Sequence, residues 1–357
     1  MDPRFKKFGM VGKMVGLSSA LLVLLCLLLA PGVAGATPGQ WRWHGIGLSG
    51  ETIQSLAVDP TNSSLLHAGT ASNGVYKSID GGGSWNKTNA GLTDMSITSL
   101  AIDPVTPATV YAGGWTGGLF RSLDGGVTWN VVLATHKVTA ITTISSPILY
   151  AGTLDAGVFK STDGGVTWSA SNTGLTRLFV EALVVDPITP TTLYAGTLIG
   201  GVFKSTNSGG SWSAVNSGLT SLSIKCLAIN PVTPATLYVA ISAGLFKSID
   251  GGVTWKAANT GLTTVNINRV AIDPVTPATL YAGTSDSGVF KSIDAGSTWA
   301  PYSTTLTSVN VQALAIGRAV SVTTVYAGTV GGLFVLFQQP TDTTQPTGGI
   351  TLNGAAV

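Results

Sequence analysis

Apolar residues along this chain fall in short runs, each ended by Gly, Asn, Ser or an Asp-Pro pair, and the runs recur in sets of four. One set reads Ser99-Leu100-Ala101-Ile102-Asp103-Pro104, Thr109-Val110-Tyr111-Ala112-Gly113, Gly118-Leu119-Phe120-Arg121-Ser122, and a fourth run that opens at Trp129. Short runs of this kind, bounded by turn formers, predict β-strands. The first run returns at Leu56 to Pro60, Leu183 to Pro187, Leu227 to Pro231 and Val270 to Pro274, with weaker versions at Ile141 to Ser145 and Leu314 to Gly317. The second returns near Ala68, Ala151, Ala195, Ala240, Ala282 and Ala327, so each is present seven times.

The third and fourth runs are joined by a box of pattern S-x-D-x-G-x-x-W. Its copies begin at Ser78, Ser122, Ser161, Ser205, Ser248 and Ser292 and end at Trp85, Trp129, Trp168, Trp212, Trp255 and Trp299. Successive copies start 44, 39, 44, 43 and 44 residues apart. Such a period, with strand and turn chemistry and no amphipathic helix, predicts a β-propeller. Ser and Asp bond to the turn backbone, Gly adopts positive φ without a Cβ clash, and Trp returns apolar surface to the sheet. A group repeated six times around a ring is read as a staple of the fold rather than as a catalyst.

Only six boxes serve seven sets, because the last set stops after Gly332-Leu333-Phe334-Val335. The missing fourth strand lies at the other end: the interval from Trp41 to Leu48 equals that from Trp255 to Leu262. The predicted fold is all-β, a seven-bladed propeller of four-stranded blades closed by an N-terminal strand that completes the last blade. Closure removes the open sheet edge of a linear array.

Three segments follow: 1–36, 37–337 and 338–357. The first has a basic start, an apolar run from Val15 to Ala30 and Ala34-Gly35-Ala36, the layout of a secretory signal cleaved after Ala36. Its 16-residue apolar run is short for a span of about 20. The mature chain is thus expected to be secreted, extracellular or periplasmic, without a membrane span, and monomeric. Removing four basic residues and Asp2 leaves 14 basic and 15 acidic side chains, a near-neutral balance with no basic stripe for nucleic acid. Charged residues make up only 10% of the chain, and Cys226 is left without a disulfide partner once Cys26 departs; it is expected to be a small buried residue. The tail 338–357 reads as a linker or stub.

On the boxes and their spacing, residues 39 to 337 resemble the Asp-box (BNR) propeller superfamily, which includes sialidases, xyloglucan-active endoglucanases, sortilin-type receptors and the photosystem II assembly-factor family. A sialidase-like reading implies an arginine clamp, an acid and a tyrosine nucleophile, and only Arg177 and Arg269 are placed to reach the face opposite the boxes. A xyloglucanase-like reading implies two propellers with paired carboxylates between them, whereas this chain has one. A glycoside hydrolase is therefore the alternative, and a binding or interaction module that takes a protein or glycan ligand is the preferred expectation.

Box turns and Asp-Pro loops share one face of such a ring, and the opposite face carries the loops that break the repeat. Candidate binding residues there are Trp115 in its glycine frame, Asp155, Arg177, Phe179 and Asp286, with Glu181 and Lys225 in a polar column at the channel mouth. An ion pair between Glu181 and Lys225 is the structural account of that column. No catalytic residue is assigned. His44, His67 and His136 lack metal-ligand spacing and no phosphate loop is present, so neither a metal nor a cofactor is expected.

Overall fold

The computed structural model describes residues 41–145, 147–319 and 322–338. The 1–36 signal expectation, its cleavage site and residues 339–357 of the tail lie outside the described residues. Within them the chain forms 28 strands in seven four-stranded antiparallel sheets. Blades 1 to 6 span residues 53–87, 97–133, 138–170, 180–214, 224–257 and 267–301, each in simple up-and-down order. Blade 7 combines β26 (Val311–Ala319), β27 (Val322–Thr329) and β28 (Gly332–Gln338) with β1 (Trp41–Gly45) as its outer strand, in the order β1-β28-β27-β26. The ring closes as the sequence predicts.

Second strands such as Leu193–Thr197 and Leu280–Thr284 are buried at every position. Both of their faces are covered because neighbouring blades pack on either side, which explains their unbroken apolar character. The core accordingly lies between blades: Tyr194 and Val202 of blade 4 pack with Ile224, Leu227 and Trp255 of blade 5.

The boxes join these blades. In the fifth, Ser248 Oγ donates to Asp250 Oδ1 (2.7 Å) and accepts from Gly252 N (2.9 Å), while Thr254 donates through N and Oγ1 to the Asp250 carboxylate (2.9 and 2.6 Å). These bonds hold the Asp250 carboxyl down at about 2. The turn carbonyl of Gly251 is gripped by the preceding blade, accepting from Tyr194 Oη at 3.0 Å and Lys204 Nζ at 2.9 Å. Tyr150 and Lys160 hold Ser208 O in the same way, and Tyr238 and Lys247 hold Ala295 O. In blade 1 His67 replaces the tyrosine, with Nε2 at 3.1 Å from Gly125 O. Because a carbonyl only accepts, Nε2 carries the proton. Burial pulls the pKa of His67 down to about 4, so the ring is neutral.

The box Trp residues reach back to that same neighbour. Trp212, Trp255 and Trp299 donate from Nε1 to Ser171 O, Val215 O and Ala258 O of the preceding blade at 2.8, 2.8 and 3.0 Å. Their own carbonyls sit over Gly174, Gly218 and Gly261, where any Cβ would collide and φ is +87° to +92°. That contact explains the Gly of Asn-x-Gly-Leu-Thr, while its Asn caps the third strand, as Asn216 Oδ1 does for Val202 N at 2.7 Å.

Two sequence expectations are corrected. Trp43, not Trp41, fills the box-Trp site of blade 7: it is buried, its Nε1 donates to Tyr302 O at 2.6 Å and its backbone carbonyl accepts from Thr305 Oγ1 at 2.7 Å, whereas Trp41 is exposed. Trp168 is only half-buried, and its Nε1 bonds within its own turn to Gly165 O at 3.3 Å. Blade 2 lacks the Asn-x-Gly-Leu-Thr turn that would supply the missing carbonyl, the same deletion that shortens one spacing to 39.

Candidate functional site

On the face opposite the boxes, the turn between the second and third strands of each blade lies beside the link that enters a blade. Trp115 stands on such a turn, in the frame Gly113-Gly114-Trp115-Thr116-Gly117-Gly118. The frame is not loose. Asp94, buried beneath it, accepts from Thr116 N, Thr116 Oγ1 and Gly117 N at 2.5, 3.0 and 2.7 Å and from Ser96 N at 2.9 Å, while Trp115 N donates to Ser96 O at 2.9 Å. Burial opposes ionisation of Asp94, but these donors outweigh it and hold the carboxyl below the usual range. A glycine-framed loop is thereby fixed, and it displays an indole that is 40% exposed.

Lys137, from the link into blade 3, places Nζ 5.1 Å from the centre of the Trp115 ring, within cation–π range. Its neighbour His136 meets Asp155 through Nδ1 at 3.0 Å and rests on Phe159, ring centroids 4.8 Å apart. Asp155 also accepts from Lys137 N at 3.3 Å. The structure thus gathers Trp115 and Asp155 into one cluster, through Lys137 and His136. Leu178 and Phe179, both exposed, continue from it: Leu178 O accepts from Gly157 N of the blade 3 turn at 3.0 Å, and Phe179 O from Leu198 N at 2.9 Å. Arg177 lies against Gly200 in the adjoining turn and is itself exposed.

Asp286 is apart from this cluster, in blade 6, where it accepts from Asn266 Nδ2 at 2.7 Å and Thr264 Oγ1 at 3.0 Å. Glu51 belongs to another local network, accepting from Asn73 Nδ2 and Tyr76 Oη at 2.9 and 3.0 Å. Each of these carboxylates is occupied by groups of its own blade or of the link that enters it.

Glu181 and Lys225 line the inner strands of blades 4 and 5. Among the described residues they form no ion pair, which corrects the expectation that they would. The charge that Glu181 senses is that of Arg269 on blade 6, and burial dominates, raising its pKa. Arg269 occupies a column otherwise filled by Ser55, Ser99, Ala140, Ala182, Cys226 and Ala313. Cys226 is buried and free, as expected.

In the Glu181 column, Thr98 donates to Val138 O, Thr139 to Val180 O at 2.5 Å and Asn268 to Val311 O at 2.9 Å, each on the next blade. An ionised Glu181 has no proton for its counterpart, the Ile224 carbonyl. Since its folded pKa is raised, its contribution is fully present below the unfolded value and is lost as pH rises through the folded one. Glu181→Gln, the residue found at positions 54 and 312 of the same column, is expected to match the parent's melting temperature near pH 4 and to exceed it increasingly toward pH 7. A constant difference across that range would disprove it.

Among the described residues no group of three or more His, Cys, Asp or Glu is arranged to hold a metal, and no helix is long and apolar enough to cross a membrane. The aromatic cluster was partly legible: Trp115 and Asp155 break the repeat visibly, whereas Asp94 gave no sign that it anchors the Trp115 loop.

No family model matches the sequence, and no curated protein matches it. Solved structures do match in fold. The GH74 xyloglucanase from Xanthomonas campestris aligns with a TM-score of 0.68 at 18% identity, over 85% of this chain and 56% of its own. YCF48 from Cyanidioschyzon merolae aligns at 0.64 and 15%, over 83% and 98%. A YCF48 bound to D1 peptide aligns at 0.65 and 14%, over 85% and 99%. This chain spans about half the length of the GH74 structures it matches. Propellers of this architecture therefore include a glycoside hydrolase and a protein captured with a peptide.

Proposed function

We propose that this chain is a secreted Asp-box propeller that works as a binding module, recognising a protein partner or a glycan on the face opposite the boxes. The observation that carries this reading is the Trp115 loop: a large exposed indole is held ready by a buried carboxylate that ties Thr116 and Gly117 of that loop to Ser96 of the adjoining link. Preorganised aromatic anchors are where binding energy concentrates. Its fold relatives are compatible with either binding or hydrolysis. Hydrolysis of a glycoside usually needs two carboxyls roughly 5 to 10 Å apart, and the satisfied, separate settings of Glu51, Asp155 and Asp286 favour binding.

Trp115→Ala is expected to melt with the parent and to weaken ligand binding by more than about 1 kcal/mol. Asp103→Ala and Asp273→Ala, which remove carboxylates that brace their Asp-Pro turns, are expected to lower stability and spare affinity. Melting curves and affinities for the same variants decide it. Normal binding by Trp115→Ala, with binding lost in fully stable turn variants, would move the site to the box face.

A further inference from the structure

We propose that the strip running from Trp115 across blades 3 and 4 to Leu222 docks an extended peptide segment of a protein partner, one that sets an acidic side chain beside apolar ones. This rests on the reading of that face as the binding face and specifies its occupant.

The strip is apolar and continuous. Trp115, Leu178, Phe179, Ile199 and Leu222 are 40, 38, 44, 54 and 43% exposed. Isolated exposed apolar groups are ordinary, but a run of them on adjoining fixed loops marks an interaction surface. These loops adjoin through their backbones: Gly157 N bonds Leu178 O at 3.0 Å and Gly201 N bonds Leu222 O at 2.9 Å, while Lys137 spans from blade 3 to Trp115.

The charge in the strip is positive and available. Lys137 and Arg177 are exposed, and among the described residues neither is in an ion pair. Asp155, the carboxylate nearest Lys137 in the loops, is already taken by His136. An acidic group on the partner would supply what the strip lacks.

A peptide suits this surface better than a sugar. Pyranose rings stack through their C–H faces on a bare aromatic face, and one face of Trp115 is covered by the Lys137 ammonium. The remaining anchors are largely aliphatic, which suits apolar side chains. The box face differs in its charge. Ile79, Leu123, Ile249 and Ile293 are 63 to 72% exposed there, but Lys160, Lys204 and Lys247 are committed to turn carbonyls and the Asp250 carboxylate to its own turn, so these lysines are not free beside them as Lys137 and Arg177 are in the strip.

The test selects phage-displayed random dodecapeptides on the protein and, in parallel, probes it with arrayed oligosaccharides that include xyloglucan and uronic-acid types. The expected peptides share Asp or Glu next to Leu, Ile or Phe. Trp115→Ala and, as a second anchor variant, Phe179→Ala should each weaken them about tenfold in fluorescence polarisation while melting like the parent. Lys137→Gln and Arg177→Gln should weaken them several-fold, an effect that disappears when the peptide's acid is replaced by its amide. Failure to enrich any peptide, or enrichment of peptides indifferent to Lys137→Gln and Arg177→Gln, overturns the inference. Glycan binding lost in Trp115→Ala, with no peptide selected, also overturns it but leaves the binding face standing. Ligands of either kind that ignore Trp115→Ala and Phe179→Ala but are lost in Ile249→Asp remove the face itself.

Discussion

Deletion of residues 41–48 is expected to abolish the native fold at ordinary temperatures and leave a protein that aggregates. The segment contributes β1, paired with β28 from Trp41 to Gly45, and much more than a strand. Trp43 fills the core of blade 7 with Val311, Val325 and Phe334. Past β1, Ile46 O accepts from Trp85 Nε1 of blade 1 at 2.9 Å, and Ile46 N donates to Leu333 O at 2.9 Å. Removing Trp43 alone would cost about 3 to 5 kcal/mol by cavity formation, against a total stability for a typical domain of about 5 to 15 kcal/mol. The same deletion uncovers β28 as an edge strand, a template for intermolecular pairing. Thermal melting and light scattering on the truncated protein check this, with a synthetic 41–48 peptide added in trans expected to restore part of the transition. A truncated chain that stays soluble and melts at the parent temperature would mean that the outer strand is dispensable to closure.

Ring closure was legible because the sequence counts were unequal: seven second-strand motifs against six boxes leave one blade short of a strand. Its register was not. Interval counting aligned Trp41 with the boxes, but a Trp pair two residues apart in a strand points both indoles to the same side, so periodicity alone does not choose between them. Contacts with Tyr302 and Thr305, some 260 positions away, make the choice. The candidate site shows the same division. Trp115 announces itself as a large apolar residue among glycines, while the Lys137 ammonium that covers it arrives from the next blade and obeys no local pattern. Glu181 and Lys225 are neighbours in the column, yet Arg269, one blade further on, is the charge that Glu181 feels, because its longer side chain stands in a column of small ones.

The box tryptophans supply a prediction with its own internal contrast. Trp255→Ala is expected to destabilise the protein by about 3 to 5 kcal/mol, since the indole is buried among Tyr194, Ile224 and Leu237 and its Nε1 hydrogen bond to Val215 O ties blade 5 to blade 4. Trp212→Ala should cost about as much. Its box has Asn207 in place of Asp, but the amide reproduces the staple, accepting from Ser205 Oγ at 2.9 Å and Ser211 N at 2.8 Å. Trp168→Ala should cost less than half of either, because the ring is only partly covered and has no bond to another blade. Denaturant unfolding of the three variants measures this directly, with unchanged m-values required for the comparison to hold. Equal losses at all three positions would show that the Trp works through its own turn, and that the inter-blade hydrogen bond is incidental. The ordering expected here instead makes the box Trp a clasp on the blade before it, which is why blade 2, whose fourth strand is followed by no Asn-x-Gly-Leu-Thr turn, leaves the Trp of the next box only half-buried and bonded within its own turn.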